Sequence, residues 1–297
     1  MAVFWGYNWV VMKVALRYAD PAIFVALRVT LGAAFLFLLL LILRRRLRPT
    51  SLRLTLCVGL FQTGGSTGLT MWALASGAAG NTAVLVFTMP LWLLLLSWLV
   101  LGERLRGVQW FSVALALAGL CLVLAPWRIQ GTPLSNVLAL VSGISWAAGT
   151  VAAKILSRRQ KVDILSLNAW QMLLGSIPLV IVALLFSRSS PVWSGTFIAA
   201  LLFNIVLVTG LGLLLWFYAL RILRAGTTGL ASLATPVVGV ASAWIQLGER
   251  PGVYEAVGMV LIISSLAALA LQQIMAGSRG ERVKKPHPTE SDHSPRN

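Results

Sequence analysis

Acidic residues are scarce in this 297-residue chain, with eight Asp and Glu against 24 Lys and Arg. Histidine is scarcer still: the two copies, His287 and His293, both lie near the C-terminus. Cysteine also occurs twice, as Cys57 and Cys121, each inside an apolar run. These absences exclude much chemistry. A metal centre needs a cluster of His, Cys, Asp or Glu, and the apolar part of the chain offers none, so no metal and no cofactor is expected. A hydrolase or acyltransferase needs a nucleophile with a base in reach, and no histidine falls within an apolar run. The chain reads as a non-enzyme. Its cysteines, set among aliphatic residues, read as small core hydrophobes.

What fills the chain instead is apolar. Hydrophobic residues make up 58%, charged residues 11%, and the mean hydropathy is +0.87. Soluble domains carry roughly 25% charged residues, so this chain cannot cover a globule with polar surface and lipid must be its solvent. The net charge of +16 does not point to nucleic acid. The basic residues sit in short clusters between apolar runs, the pattern that orients a protein in a bilayer.

A membrane-crossing helix needs about 20 apolar residues. Ten such runs occur, at roughly 2–16, 22–43, 54–76, 81–101, 107–125, 134–154, 164–186, 195–217, 226–247 and 252–274. The first is short, and no basic segment precedes it, so it reads as a span and not as a cleavable signal. Segment 278–297 is polar and contains Pro286, Pro288 and Pro295, the composition of a disordered tail. Ten spans put both termini on one side. Connections on that side carry thirteen Lys and Arg, among them Arg44, Arg45, Arg46, Arg48, Arg158 and Arg159, against four on the other. Cytoplasmic loops are the positive ones, which places both termini inside.

The sequence also repeats itself. Leu-Gly-Glu-Arg occurs at 101–104 and again at 247–250, and Pro90 with Pro236, Trp98 with Trp244, Thr63 with Thr209 and Gly64 with Gly210 keep the same 146-residue spacing. Toward the start the spacing shrinks: Trp5 matches Trp146 and Lys13 matches Lys154 at 141, and Asp20 matches Asp163 at 143. Residues 1–126 and 134–275 therefore read as two repeats. Each holds five spans, an odd number, so the second enters the membrane inverted. The expected fold is all-α and integral to the membrane, with ten transmembrane helices as two inverted five-helix repeats, an architecture suited to transport.

With Lys13 and Lys154 following the paired tryptophans, and a Pro and a Gly-Glu-Arg at each fourth span, the chain resembles the EamA-type drug/metabolite transporter superfamily. Within it, the overall likeness is to exporters of aromatic and other neutral amino acids of the YddG type. The resemblance implies a secondary transporter in the bacterial inner membrane that moves a small solute outward and acts as a monomer. A carrier of another solute (a sugar, a nucleotide precursor or a lipophilic drug) and a non-transporting membrane scaffold remain open from the residues.

Polar groups at membrane depth are costly and mark functional sites. Asn8, Arg28, Gln62, Gln171 and Asn204 are the candidates. Arg28 has no acid near it in sequence, so it either meets a substrate carboxylate or snorkels outward. Lys13 and Lys154 lie near span ends and are expected to snorkel. Trp5, Tyr7, Trp72, Trp92, Trp146, Trp170 and Tyr218 are placed to reach an interior, where rings would suit an apolar or aromatic solute. Pro90 and Pro236 fall inside spans, where proline kinks a helix; they and Met89 read as hinge or cavity-lining positions. Glu103, Arg104, Glu249 and Arg250 read as helix caps and interface residues that could also gate. None of the eight acids sits at a span midpoint, which argues against proton coupling and predicts a facilitator, or a carrier coupled by some other route.

Overall fold

The computed structural model describes residues 1–76, 85–103, 108–124, 132–187, 189–247, 252–254, 256–265 and 267–268. Among them every regular element is helical. In chain order these are α1 (Ala2–Ala15), α2 (Pro21–Ile42), α3 (Leu52–Val58), a π-helical segment (Gly59–Gly65), α4 (Ser66–Ser76), α5 (Met89–Leu101), α6 (Val108–Leu124), α7 (Pro133–Arg159) and α8 (Ile164–Phe186). They continue with α9 (Gly195–Phe203), a second π segment (Asn204–Gly212), α10 (Leu213–Ile222), α11 (Ala225–Ala231), α12 (Ala234–Leu247) and α13 (Ala256–Ser265). Among the described residues, four continuous helical stretches are long and apolar enough to cross a membrane: Pro21–Ile42, Pro133–Arg159, Ile164–Phe186 and Gly195–Ile222.

Polar residues set where these helices start. Asp20 Oδ1 accepts the backbone N–H of Ala22 at 2.9 Å, one residue past Pro21. Asp163 Oδ1 likewise accepts from Leu165 at 3.0 Å. Thr132 and Ser194 cap α7 and α9. Such caps satisfy otherwise orphaned N–H groups, which accounts for two of the eight acids without any functional role.

Two features depart from the spans read in the sequence. The fourth and ninth spans are not single helices with a proline kink. Each is interrupted by a turn, at 87–88 and at 232–233, and Pro90 and Pro236 sit in the first turn of α5 and α12. Proline belongs there, because the first-turn N–H groups have no intrahelical partner to lose. The third and eighth spans each contain a π segment. Wide turns of this kind are rare and concentrate at functional sites.

Helices pack in a pattern that links the first and second parts of the chain. Helix α2 runs along α8, α1 along α12, and α4 with α5 along α7. The first π segment packs against α8 and the second against α2. Glycine makes the closest approach possible: a Cβ on Gly175 would lie 2.5 Å from the Gly59 carbonyl oxygen. Small residues at crossings are how membrane helices come together without a hydrophobic drive. Hydroxyls add cross-helix bonds, such as Thr70 to Ser142 at 2.7 Å and Ser145 to the Phe61 carbonyl at 2.7 Å.

One pole of the bundle gathers the basic residues. There Arg45 lies 3.8 Å from Asp163, and Arg158 pairs with Glu103. At the opposite pole Ser187 donates to Asp20, and the Val192 N–H bonds to the Tyr18 carbonyl at 2.8 Å. Cys121 is exposed on the bundle surface and Cys57 is half-buried, so neither is the fully buried core residue expected from the sequence.

Candidate functional site: a cavity between the two parts of the chain

A cavity of about 190 Å³ opens where the helices of both parts meet. From the first part it is bordered by Trp5, Asn8 and Met12 of α1, and by Arg28 of α2. The first π segment with α4 contributes Gln62, Thr63, Ser66, Thr67, Thr70 and Met71. Met89 opens α5 at its rim. From the second part come Trp146, Met172, Thr209 and Thr235. No acidic side chain borders it among the described residues.

The stripe 62, 63, 66, 67, 70, 71 shows why a π segment matters here. Residues four apart drift around a regular α-helix, because 3.6 residues complete a turn. Widening the turn reduces that drift and brings the four-residue rows closer to alignment, so amide and hydroxyl side chains form a row along the wall. Position 209, the match of 63, sits in the other π segment.

Three indoles stack behind the cavity. Trp5 meets Trp146 edge-on at 5.6 Å, and Trp216 touches both, at 5.6 and 5.9 Å. Trp5 Nε1 donates to the Val208 carbonyl at 3.3 Å. Its ring lies against Gly212, where a Cβ would come within 2.6 Å of that nitrogen. Trp5 and Trp146, 141 residues apart in the sequence, therefore meet at the junction itself. Trp216, fully buried, went unnoticed in the sequence because nothing distinguishes it from the interfacial tryptophans.

Arg28 does not snorkel. Its Nη1 donates to Asn204 Oδ1 at 3.0 Å and approaches Met12 Sδ at 3.5 Å, and its Nε has no partner. Asn204 is held in turn by its own Nδ2, which donates to the Ala200 carbonyl at 3.0 Å. Gln62 Nε2 donates to Thr150 at 3.2 Å and leaves Oε1 unpartnered. Asn8 Oδ1, Trp146 Nε1 and the Thr235 hydroxyl are likewise buried without partners. Unmet polar groups are costly in an apolar interior, and five residues bordering one cavity carry them.

Other candidates lie elsewhere. Gln171 is fully buried one layer back, accepting from the Thr63 hydroxyl and donating to Asn168 at 3.1 Å. Asn204 also stands behind the wall, acting on it through Arg28. Tyr7 packs edge-on against Phe203 at 5.5 Å and does not border the cavity. Tyr218 is 57% exposed and Trp72 46% exposed, so both face outward. Trp92 binds the Thr88 hydroxyl at 3.2 Å. Trp170 sits toward the basic pole, where its Nε1 donates to the Leu47 carbonyl and pins the loop after α2. The sequence pattern missed these orientations because one helical residue points inward and its neighbour outward, and the apolar runs have almost no amphipathic contrast. It also missed the hydroxyl row, whose only signal was the Thr63–Thr209 match.

Toward the basic pole the helices pack on leucines. Leu36, Leu40, Leu93, Leu156 and Leu220 are buried there. Below them Glu103, with its side chain 8% exposed, pairs with Arg158 and accepts the Ala225 N–H at 2.9 Å. Arg158 also donates to the Leu101 carbonyl at 3.0 Å. Gly102, left-handed at φ +65°, ends α5 and turns Glu103 inward. Lys154, expected to snorkel, is 7% exposed and binds the carbonyls of Leu220 and Leu223 at the end of α10. Glu103 therefore ties α5, α7 and α11 together. The Lys13 side chain, Arg104, Glu249, Arg250 and tail 278–297 fall outside the described residues.

Comparison with known proteins adds four findings. The EamA-like transporter family matches residues 1–125 and 133–271. The Bacillus subtilis protein named "Uncharacterized transporter YoaV" is 29% identical over 268 residues, covering 88% of this chain and 91% of that one. The Escherichia coli protein named "Probable amino-acid metabolite efflux pump" is 30% identical over 277 residues, covering 90% and 91%. A solved crystal structure superposes with a TM-score of 0.79 over 96% of both chains at 19% identity, which shows a shared fold. With the family matching nearly all of the sequence, and a cavity built where its two matched parts meet, the chain belongs to the EamA-like transporter family, within the drug/metabolite transporter superfamily.

Proposed function

We propose that this protein exports small amphipathic metabolites, aromatic and other neutral amino acids foremost, by alternating access through the cavity between its halves. One observation carries the reading: a cavity bordered by both halves, walled by paired indoles and hydroxyls, with buried polar atoms lacking partners. Relatives named as amino-acid metabolite efflux pumps support the solute class.

The architecture we infer is ten spans in two inverted repeats of five, in the bacterial inner membrane with both termini cytoplasmic. The two family matches support the repeat. So does the reciprocity of packing: the first span lies on the ninth as the sixth lies on the third and fourth, and each π segment packs against the other half. The charge asymmetry makes the basic pole cytoplasmic. Glu103 and its partners then close the inner side, and Pro90 and Pro236 open the second segments of broken helices beside the cavity. Discontinuous helices at a repeat interface are where transporters place their sites.

With no carboxylate bordering the cavity among the described residues, transport runs down the solute's own gradient. Purified protein in liposomes is expected to exchange labelled phenylalanine or leucine, and a pH gradient alone is expected to leave accumulation unchanged. Uphill accumulation driven by that gradient alone overturns the facilitator reading; no exchange of any amino acid overturns the solute class.

A second expectation concerns the indoles. Trp146→Ala removes one face of the pair and is expected to weaken phenylalanine several-fold more than leucine, as one aromatic contact contributes roughly 0.5–1.5 kcal/mol. Trp170→Ala, away from the cavity, is expected to leave both affinities unchanged. Competition curves for the two variants check this directly.

A further inference from the structure

Arg28 is a permanent charge, since a guanidinium does not lose its proton in proteins. It borders the cavity, and neither ion pair among the described residues includes it. What holds it is neutral: an amide oxygen and a thioether. The amide belongs to Asn204, itself fixed by a second bond, so the guanidinium is oriented without being neutralised. Its Nε points to no protein acceptor. A cation with a purely structural role in a membrane protein is paired or reaches the interface. Arg28 does neither.

The opposite chemistry lies across the same cavity. Gln62 Oε1 and Asn8 Oδ1 are acceptors without donors. Gln62 cannot easily turn away, because Gly149 packs under its backbone, where a Cβ would come within 2.7 Å of the Gln62 nitrogen. Neutral oxygens accept from an ammonium group but do not supply a counter-charge. Among the described residues, the single full charge that borders the site is positive.

We propose that a free carboxylate is the obligatory recognition element of the solute, received by the Arg28 guanidinium, with the Gln62 and Asn8 amide oxygens receiving an accompanying amine. This rests on the transporter reading above and narrows it. α-Amino acids are accepted; their amides and esters, and the corresponding amines, are rejected. Arginine suits this role because its fixed fork of donors matches carboxylate geometry. Asn204 acts as a positioning residue, orienting Arg28 from behind.

The test is competition against labelled phenylalanine exchange in liposomes containing the full chain. Unlabelled phenylalanine is expected to compete, whereas phenylalaninamide and phenethylamine at the same concentration are not. The discrimination between acid and amide should be on the order of tenfold to hundredfold, the range of one charge-assisted hydrogen bond. Arg28→Met, uncharged and still long, should lose that discrimination, and Arg28→Lys should keep part of it. Equal competition by phenylalaninamide in the wild type, or full discrimination retained in Arg28→Met, overturns the proposal while exchange itself persists. Absence of wild-type exchange would instead remove the amino-acid solute reading beneath it. Should Arg28→Met fail to fold, the wild-type competition series decides alone.

Discussion

Glu103→Ala is expected to open the basic pole of the protein and to lower steady exchange several-fold. Glu103 joins three elements: just past the end of α5, it pairs with Arg158 on α7 and accepts the first N–H of α11. Removing it leaves the Ala225 N–H without its acceptor and Arg158 without its partner. Breaking a fully buried pair costs about 3–5 kcal/mol. Arg158 is 45% exposed, so solvent screening reduces the loss to about 1–3 kcal/mol. That is enough to shift a two-state equilibrium by roughly fivefold or more. Glu103→Gln separates the two roles, since its amide oxygen still accepts from Ala225, and a smaller effect is expected. The readout is maleimide labelling of Ser97→Cys, a buried position beside this closure, in a background lacking Cys57 and Cys121. Faster labelling in Glu103→Ala, and an intermediate rate in Glu103→Gln, is the expected result. Unchanged labelling in both would show that the contact is static capping and no gate.

Gly175→Ala is expected to destabilise the fold far more than a methyl added at an open glycine, and Gly175→Leu to leave no folded protein. A Cβ at this position meets the Gly59 carbonyl at 2.5 Å and Thr63 at 2.6 Å. The former is backbone, and Gly59 faces the mirror problem, with the Gln171 carbonyl 2.6 Å from its own would-be Cβ. Neither chain can give without moving a whole helix. Overpacking of this kind costs typically about 1–3 kcal/mol, about 2–4 °C in Tm per kcal/mol for a protein of roughly 150–250 residues. Gly195→Ala is the control, since nothing lies within 4 Å of its would-be Cβ and its φ is ordinary. Thermal unfolding in detergent compares them. Equal melting points would show that α8 and the π segment are not locked together.

Much of the architecture was legible in advance, for definite reasons. Apolar runs mark spans because lipid allows few alternatives, and the helix starts at Asp20, Thr132 and Asp163 follow from local capping. The family was legible because the marks that carry it, Trp5 with Trp146 and a Pro with a Gly-Glu-Arg in each part, stand out from aliphatic surroundings. Hydrogen-bond register was not. Nothing in Gly-Leu-Phe-Gln-Thr-Gly-Gly announces a π segment, and a proline inside an apolar run looks the same whether it kinks a helix or begins one. Orientation was equally hidden. Trp170 and Gln171 are adjacent, yet one pins a surface loop and the other is fully buried in a cross-helix network. Lys154 looked like an interfacial lysine because the carbonyls it binds belong to a helix end 66 and 69 residues away.

The two wide-turn segments also govern how this chain tolerates change in length. A turn that closes at i+5 takes in one residue more than one that closes at i+4. Excising a single residue from 59–65 or from 204–212 therefore lets the remainder relax to ordinary α geometry, keeping the span continuous. It also nearly keeps phase. A wide turn spends one residue more on about the same rotation, so relaxing to about 100° per residue leaves everything beyond the cut close to its former face. Ser66, Thr67 and Thr70 in the first half, and Trp216 in the second, then stay near their places. A deletion in the neighbouring α segments has no such slack and rotates all that follows. Length changes should therefore be tolerated inside these two segments and not beside them, a contrast that substitutions, which leave the count intact, do not produce.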